Sequence, residues 1–143
     1  MPNKVRKKRW LTKRLPTSNR NRLVLLSGAR QAGKTTLARD VYPDVSYVNL
    51  DAPENRDSIQ EVSTFHWARV VGTAILDEAQ KAPTVFDKVK YAFDNGDISF
   101  SVLLGSSQLL MHRKVRESLA GRAFVYELWP LMLSELVADA SSI

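Results

Sequence analysis

Two glycines five apart, Gly28 and Gly33, are followed at once by Lys34 and Thr35 in the stretch Gly28-Ala29-Arg30-Gln31-Ala32-Gly33-Lys34-Thr35-Thr36. This is the spacing of a loop that grips polyphosphate: Gly, four residues, then Gly-Lys-Thr. The two glycines permit backbone angles closed to other residues, so successive N–H groups around residues 28–35 can point into one concavity. The concavity opens onto a helix N-terminus, where unpaired N–H groups and the helix dipole favour an anion. Lys34 has the reach for the outer two phosphates, and the Thr35 hydroxyl suits a magnesium ion. A second pair, Asp77-Glu78, closes the apolar run Thr73-Ala74-Ile75-Leu76. Asp77 is placed to hold a magnesium shell, and Glu78 to act as general base on an attacking water. A third candidate is Ser106, with Ser107 in reserve, as a sensor of the terminal phosphate; either could instead cap the helix that follows.

These residues need elements to hold them, and the hydrophobic pattern supplies the elements. Leu23-Val24-Leu25-Leu26 has the length and composition of a buried strand, and Lys34 to Val41 reads as a helix with Leu37 and Val41 four apart. Val45 to Leu50 alternates as a second strand, and Asp51-Ala52-Pro53-Glu54-Asn55 follows as a loop. Residues 56–70 are weakly helical. Thr73 to Leu76 is a third strand, a helix opens at Lys81-Ala82-Pro83-Thr84 with Val85, Phe86, Val89 and Phe93 as its core face, and Ile98 to Leu104 is a fourth strand. Residues 108–120 read as one basic helix, and Ala123 to Leu128 as a fifth strand. Pro130 begins a last amphipathic segment, Leu131 to Val137. Helical crossovers between five strands predict an α/β fold, a mainly parallel five-stranded sheet with helices on both faces.

At 143 residues, 44% hydrophobic and 25% charged, the chain has the length of one domain and the composition of a soluble globular protein. No apolar run has the length of a membrane span, and no membrane partner is expected. The absence of cysteine excludes disulfides and thiolate metal sites, and fits a cytoplasmic setting. His66 and His112 lack metal-ligand spacing. The net charge of +6 is unevenly spread: the first 39 residues hold twelve of the 21 Lys and Arg and no acid, so the remainder is net acidic. Residues 1–21 therefore read as a basic arm and short helix. Such an arm can screen nucleic-acid phosphates. A solvated tail with Trp10, Leu11 and Leu15 packing on the core accounts for it more simply, because only Trp10 offers a base-stacking surface.

Taken together, Leu25 to Leu37, Asn49-Leu50-Asp51, Ile75 to Pro83, Leu104 to Gln108, Glu117 to Arg122, and Leu128 to Leu131 with Ser134-Glu135 form a combined pattern. It resembles the prokaryotic AAA-like ATPases that carry a C-terminal domain of unknown function. The resemblance covers about residues 22–137, which would form a three-layer αβα P-loop ATPase core, with 138–143 as a tail. It implies ATP and magnesium as cofactors, Lys34 and Thr35 on phosphate and metal, Asp77 and Glu78 as the second acidic motif, and Arg122 as an arginine finger supplied in cis or by a neighbour in a homo-oligomer. Leu104 stands where the family usually has threonine, which shifts the sensor role to Ser106. Ser58 to Trp67 keeps little of the family pattern. The chain also ends soon after Glu135, as an N-terminal core without lid or C-terminal domain would.

The sequence thus favours a magnesium-dependent ATPase that drives a switch or motor step. The alternative is a nucleotide-binding interaction module without turnover, associated with nucleic acid. A small-molecule kinase fits less well, because Asp77-Glu78 suits water activation. A helicase reading of Asp77-Glu78-Ala79-Gln80 fails on length, and no Asn-Lys-x-Asp element selects guanine.

Overall fold

The computed structural model describes residues 10–19, 21–29 and 32–129. The basic cluster from Lys4 to Arg9, the loop residues Arg30 and Gln31, and the segment from Pro130 onward lie outside them. Five strands, β1 (Arg22–Gly28), β2 (Ser46–Asn49), β3 (Ala74–Asp77), β4 (Phe100–Gly105) and β5 (Ala123–Leu128), form one parallel sheet in the order β2-β3-β4-β1-β5. Because every pairing is parallel, all five C-terminal ends emerge at the same edge. β1 sits between β4 and β5, so the chain leaves it in one direction through β2 and returns on its other side with β5. Ligands in open α/β sheets bind at such a reversal, outside the carboxyl ends.

β1 and β4 are buried on both faces, as the near-continuous apolar runs require. Alternation sorts their side chains into two cores. Leu23, Leu25, Leu76 and Leu103 face one side, with α4 (Thr84–Asp94), α5 (Arg113–Leu119), Ile59 of α2 (Pro53–Glu61) and Trp67 of α3 (Trp67–Val70). Val24, Leu26, Ile75, Val102 and Leu104 face the other, with Leu37 and Ala38 of α1 (Lys34–Val41) and Leu15, just past the short N-terminal 3₁₀ turn Trp10–Lys13. Helices therefore cover both faces, giving three layers.

Three elements differ from the sequence expectation. The expected loop from Asp51 to Asn55 is already helical from Pro53, which occupies the first turn of α2 with Glu54 beside it to complement the helix dipole. The weak helix over 56–70 is two helices separated by the 3₁₀ turn Thr64–His66. The single basic helix over 108–120 is a 3₁₀ segment, Ser107–Met111, and then α5, broken at His112, whose backbone is extended at φ −78°, ψ 119°. The break lets Leu109 and Val115 both reach the core, which one straight helix would not allow for two residues six apart.

Candidate functional site

Lys34, Thr35, Asp77, Glu78 and Ser106, named from three separate stretches of sequence, meet at the carboxyl edge of the sheet. β1 delivers the loop. Gly28 was expected to supply an unusual backbone angle, but its need for glycine is spatial: a Cβ there would lie 2.4 Å from the Leu128 carbonyl oxygen of β5. The left-handed backbone belongs to Gly33, at φ 92°. Gly33 is also the N-cap of α1 and brings no side-chain cap, so the first-turn N–H groups at Lys34, Thr35 and the exposed Thr36 receive none from it. The Ala32 N–H turns back to the Ala29 carbonyl at 3.1 Å. The expected ring of amides over residues 28–35 is thus described only at its two ends, since Arg30 and Gln31 lie between them.

The Lys34 side chain folds back along the loop. Its ammonium donates to the carbonyls of Gly28 at 2.8 Å and Ala29 at 3.0 Å, and only 8% of the residue is exposed. Burial lowers its pKa, and the nearby carboxylates of Glu78 and Asp77 act in the opposite direction.

Thr35, one residue on, donates its hydroxyl to Asp77 Oδ2 at 2.6 Å. That bond ties the first turn of α1 to the end of β3 across 42 residues of chain. Asp77 is held from two further directions. The Tyr47 hydroxyl donates to the same Oδ2, and the Glu78 backbone N–H donates to Oδ1 at 2.9 Å. Burial first, then the bond to Asp77, push the Tyr47 phenol pKa well above its usual range, so it remains a donor. Arg39 of α1 lies over the Tyr47 ring, 4.5 Å from its centroid.

Glu78 takes a left-handed backbone, φ 56° and ψ 44°, and among the described residues it is the one non-glycine that does so. A non-glycine residue held in this region costs on the order of 1–3 kcal/mol and persists only where its surroundings enforce it. Gln80 is part of those surroundings: its amide donates to Glu78 Oε2 at 2.6 Å, while its carbonyl oxygen accepts the Ser106 backbone N–H at 3.4 Å. Lys81 pairs with Asp51 from the end of β2. Lys34, Asp51, Glu78, Gln80, Lys81 and Ser106 line a cleft of about 240 Å³. Ser106 serves as N-cap of the 3₁₀ segment without a side-chain cap bond, so its hydroxyl is not committed to that role. Ser107 begins the segment and is exposed. Leu104 is fully buried on the α1 side.

Arg122 is not brought to this site. It precedes β5 at the amino edge of the sheet, where its carbonyl accepts from Leu23 N–H, and its guanidinium forks onto Asp94 at 2.7 and 2.8 Å. The six residues of β5 separate it from the loop, about 20 Å at the rise of a strand. A finger role in cis is incompatible with that placement.

Sequence reasoning gave no role to Tyr47, nor to Asp51, Gln80 and Lys81, which it met only within the family pattern. Tyr47 did carry a signal, since it alternates with Asn49 in a β-rich run. That run gave no indication of lying beside the strand ending in Asp77 (Asn49 is in register with Asp77).

A profile of the family described as "AAA domain" matches residues 20–137. The chain belongs to this family. Two uncharacterized proteins, one from Mycobacterium tuberculosis and one from Mycobacterium bovis, are each 32% identical to it over 121 residues, covering 83% of this chain and 27% of theirs. The chain thus spans about a quarter of the length of these curated relatives. Among solved structures, the P-loop NTPase domain of the sigma-54 transport activator from Escherichia coli superposes with a TM-score of 0.55 at 16% identity, over 85% of this chain and 92% of that one. That likeness bears on the fold, a three-layer αβα P-loop NTPase core. With the family match, it makes this AAA domain a nucleotide-binding NTPase core. Among its described residues no helix is long and apolar enough to cross a membrane.

Proposed function

We propose that this AAA domain binds ATP with magnesium and hydrolyses it. The reading rests above all on the 2.6 Å contact between Thr35 and Asp77, formed beside a buried Lys34. A hydroxyl and a carboxylate are oxygen donors suited to a hard cation. Among the described residues no three His, Cys, Asp or Glu side chains converge, so phosphate oxygens and water would complete the shell. Magnesium bound there would neutralise charge developing on the β- and γ-phosphates.

The chain's own groups do the rest. The Lys34 ammonium now rests on two neutral carbonyls, and an anionic phosphate oxygen is the stronger acceptor. It swings from Gly28 and Ala29 to the incoming phosphate. The Glu78 carboxylate accepts a proton from the attacking water as its oxygen bonds to the γ-phosphorus and the bond to the bridging oxygen of ADP breaks. Ser106, on the cleft wall, would sense the terminal phosphate. The cycle would serve a switch or a motor step.

A second reading, nucleotide binding without turnover by the isolated chain, is favoured by the position of Arg122. Among the described residues no arginine lines the cleft. If an arginine from a neighbouring copy completes the site, turnover depends on assembly.

The test is Glu78→Gln, assayed for ATP turnover and for binding of the fluorescent analogue mant-ATP. Turnover is expected to fall by about 10²–10⁴-fold with binding retained. Unchanged turnover removes Glu78 as base; failure of the wild-type chain to bind mant-ATP removes the reading altogether.

A further inference from the structure

The carboxylate of Asp77 has about four lone-pair positions to fill, and three are already taken by donors of this chain. Oδ1 accepts the Glu78 backbone N–H; Oδ2 accepts both the Thr35 and the Tyr47 hydroxyls. With both oxygens engaged, the carboxylate cannot turn about its Cβ–Cγ bond without losing a hydrogen bond. One position on Oδ1 takes no donor among the described residues. Of the three donors, Thr35 is the one with a second task, because its oxygen is also the group suited to a cation. The Glu78 amide is fixed by its strained backbone. Tyr47, whose hydroxyl also meets the Thr35 side chain, is clamped from behind by Arg39 of α1.

We propose that Tyr47 is a positioning residue for metal binding: its hydroxyl occupies Asp77 Oδ2 and so fixes Oδ1 as the oxygen offered to the metal shell. The inference deepens the Mg-ATP reading above and rests on it. β2, which shows no chemistry of its own in sequence, becomes part of the nucleotide site through this residue. The geometry also supplies a reason for a phenol at this place. Tyr47 and Asp77 lie on the α1 side of neighbouring strands, and the pairing sets Tyr47 opposite Ile75, two residues before the acid. A shorter hydroxyl side chain at that register would fall short of Oδ2.

Tyr47→Phe keeps the ring, its packing and the contact with Arg39, and deletes only the hydroxyl. The measurement is mant-ATP affinity in excess magnesium and in EDTA, for wild type, Tyr47→Phe, Asp77→Asn and the double variant. The expected result is a loss of about tenfold in the magnesium-dependent tightening for Tyr47→Phe, the scale of one hydrogen bond to a charged group. Affinity in EDTA is expected to stay the same. In the Asp77→Asn background, Tyr47→Phe is expected to have no further effect. Wild-type tightening that survives Tyr47→Phe in full overturns the role of Tyr47 alone. A loss that appears equally in EDTA, or that adds to Asp77→Asn, overturns it too, since the hydroxyl would then be acting on the fold and not through the acid. If the wild-type chain itself shows no tightening with magnesium, the metal reading fails, and the role of Tyr47 fails with it.

Discussion

The two ends of the sheet each hold a cation that the sequence linked to phosphate chemistry, and they treat it in opposite ways. At the carboxyl edge Lys34 is buried on two carbonyls, its ammonium partly stripped of water, with Asp77 and Glu78 close by. At the amino edge Arg122 is partly exposed and already satisfied by a forked pair with Asp94. An ammonium held by neutral carbonyls can exchange them for a stronger, anionic acceptor. A charge matched by a carboxylate is a surface clasp. The glycines at the two ends of β5 differ in the same way. Gly28, paired with Leu128, is required for room; Gly121, just before the strand, is required for its φ of 73° and has no atom within 4 Å of where a Cβ would sit.

The largest expected effect breaks the comparison at its first term. Lys34→Ala should reduce mant-ATP affinity by roughly 100-fold or more, the scale of losing a buried charge-assisted contact to phosphate. The fold should survive, because a costly buried cation is removed with it; equal affinity by titration would end the claim that Lys34 is held for phosphate.

Next comes the pair of glycines. Gly28→Asn must push β1 and β5 apart at a backbone contact and should cost about 1–3 kcal/mol in urea unfolding. Gly121→Asn, placed where asparagine tolerates the left-handed region, should cost less than about 1 kcal/mol. Equal losses would show that room at the loop end is not what selects Gly28.

The smallest effect is at the clasp. Arg122→Ala should lower stability by less than about 1 kcal/mol, since the pair is largely solvent-screened. The guanidinium hydrogen bond holds the Asp94 carboxyl below its ordinary value of 3.8. A depressed carboxylate pKa stabilises the fold above the unfolded value and loses that contribution as pH falls through the folded one. The difference between wild type and Arg122→Ala should therefore be full at neutral pH and shrink below about pH 4. Turnover gives the sharper reading: if Arg122 serves a neighbouring copy, specific activity should rise with wild-type protein concentration and stay flat in Arg122→Ala.

How much of this was legible beforehand depended on distance along the chain. The loop from Gly28 to Thr36 and its helix could be read because spacing, glycine chemistry and hydrophobic period all act within a few residues. Asp77-Glu78 was legible for the same reason, as an acid ending an apolar run. Tyr47 was not, because an alternating strand reveals which residues share a face but not which strand lies beside it. The break at His112 was hidden because neither the apolar Leu109, Leu110 and Met111 before it nor the basic Arg113, Lys114 and Arg116 after it includes a glycine or proline to mark a stop. Arg122 was legible as a residue type within a motif, yet its position followed from β5 joining β1 at the far edge.

The order of residues alone determined that a phosphate loop, an acidic strand end and a parallel sheet belong to this protein, since each follows from chemistry between near neighbours. Only the tertiary structure decided that Thr35 and Tyr47 share one oxygen of Asp77, that Gln80 braces Glu78, and that Arg122 turns away. Those outcomes depend on strand order, β2-β3-β4-β1-β5, which is set by the packing of whole helices on two faces and is encoded in no single stretch.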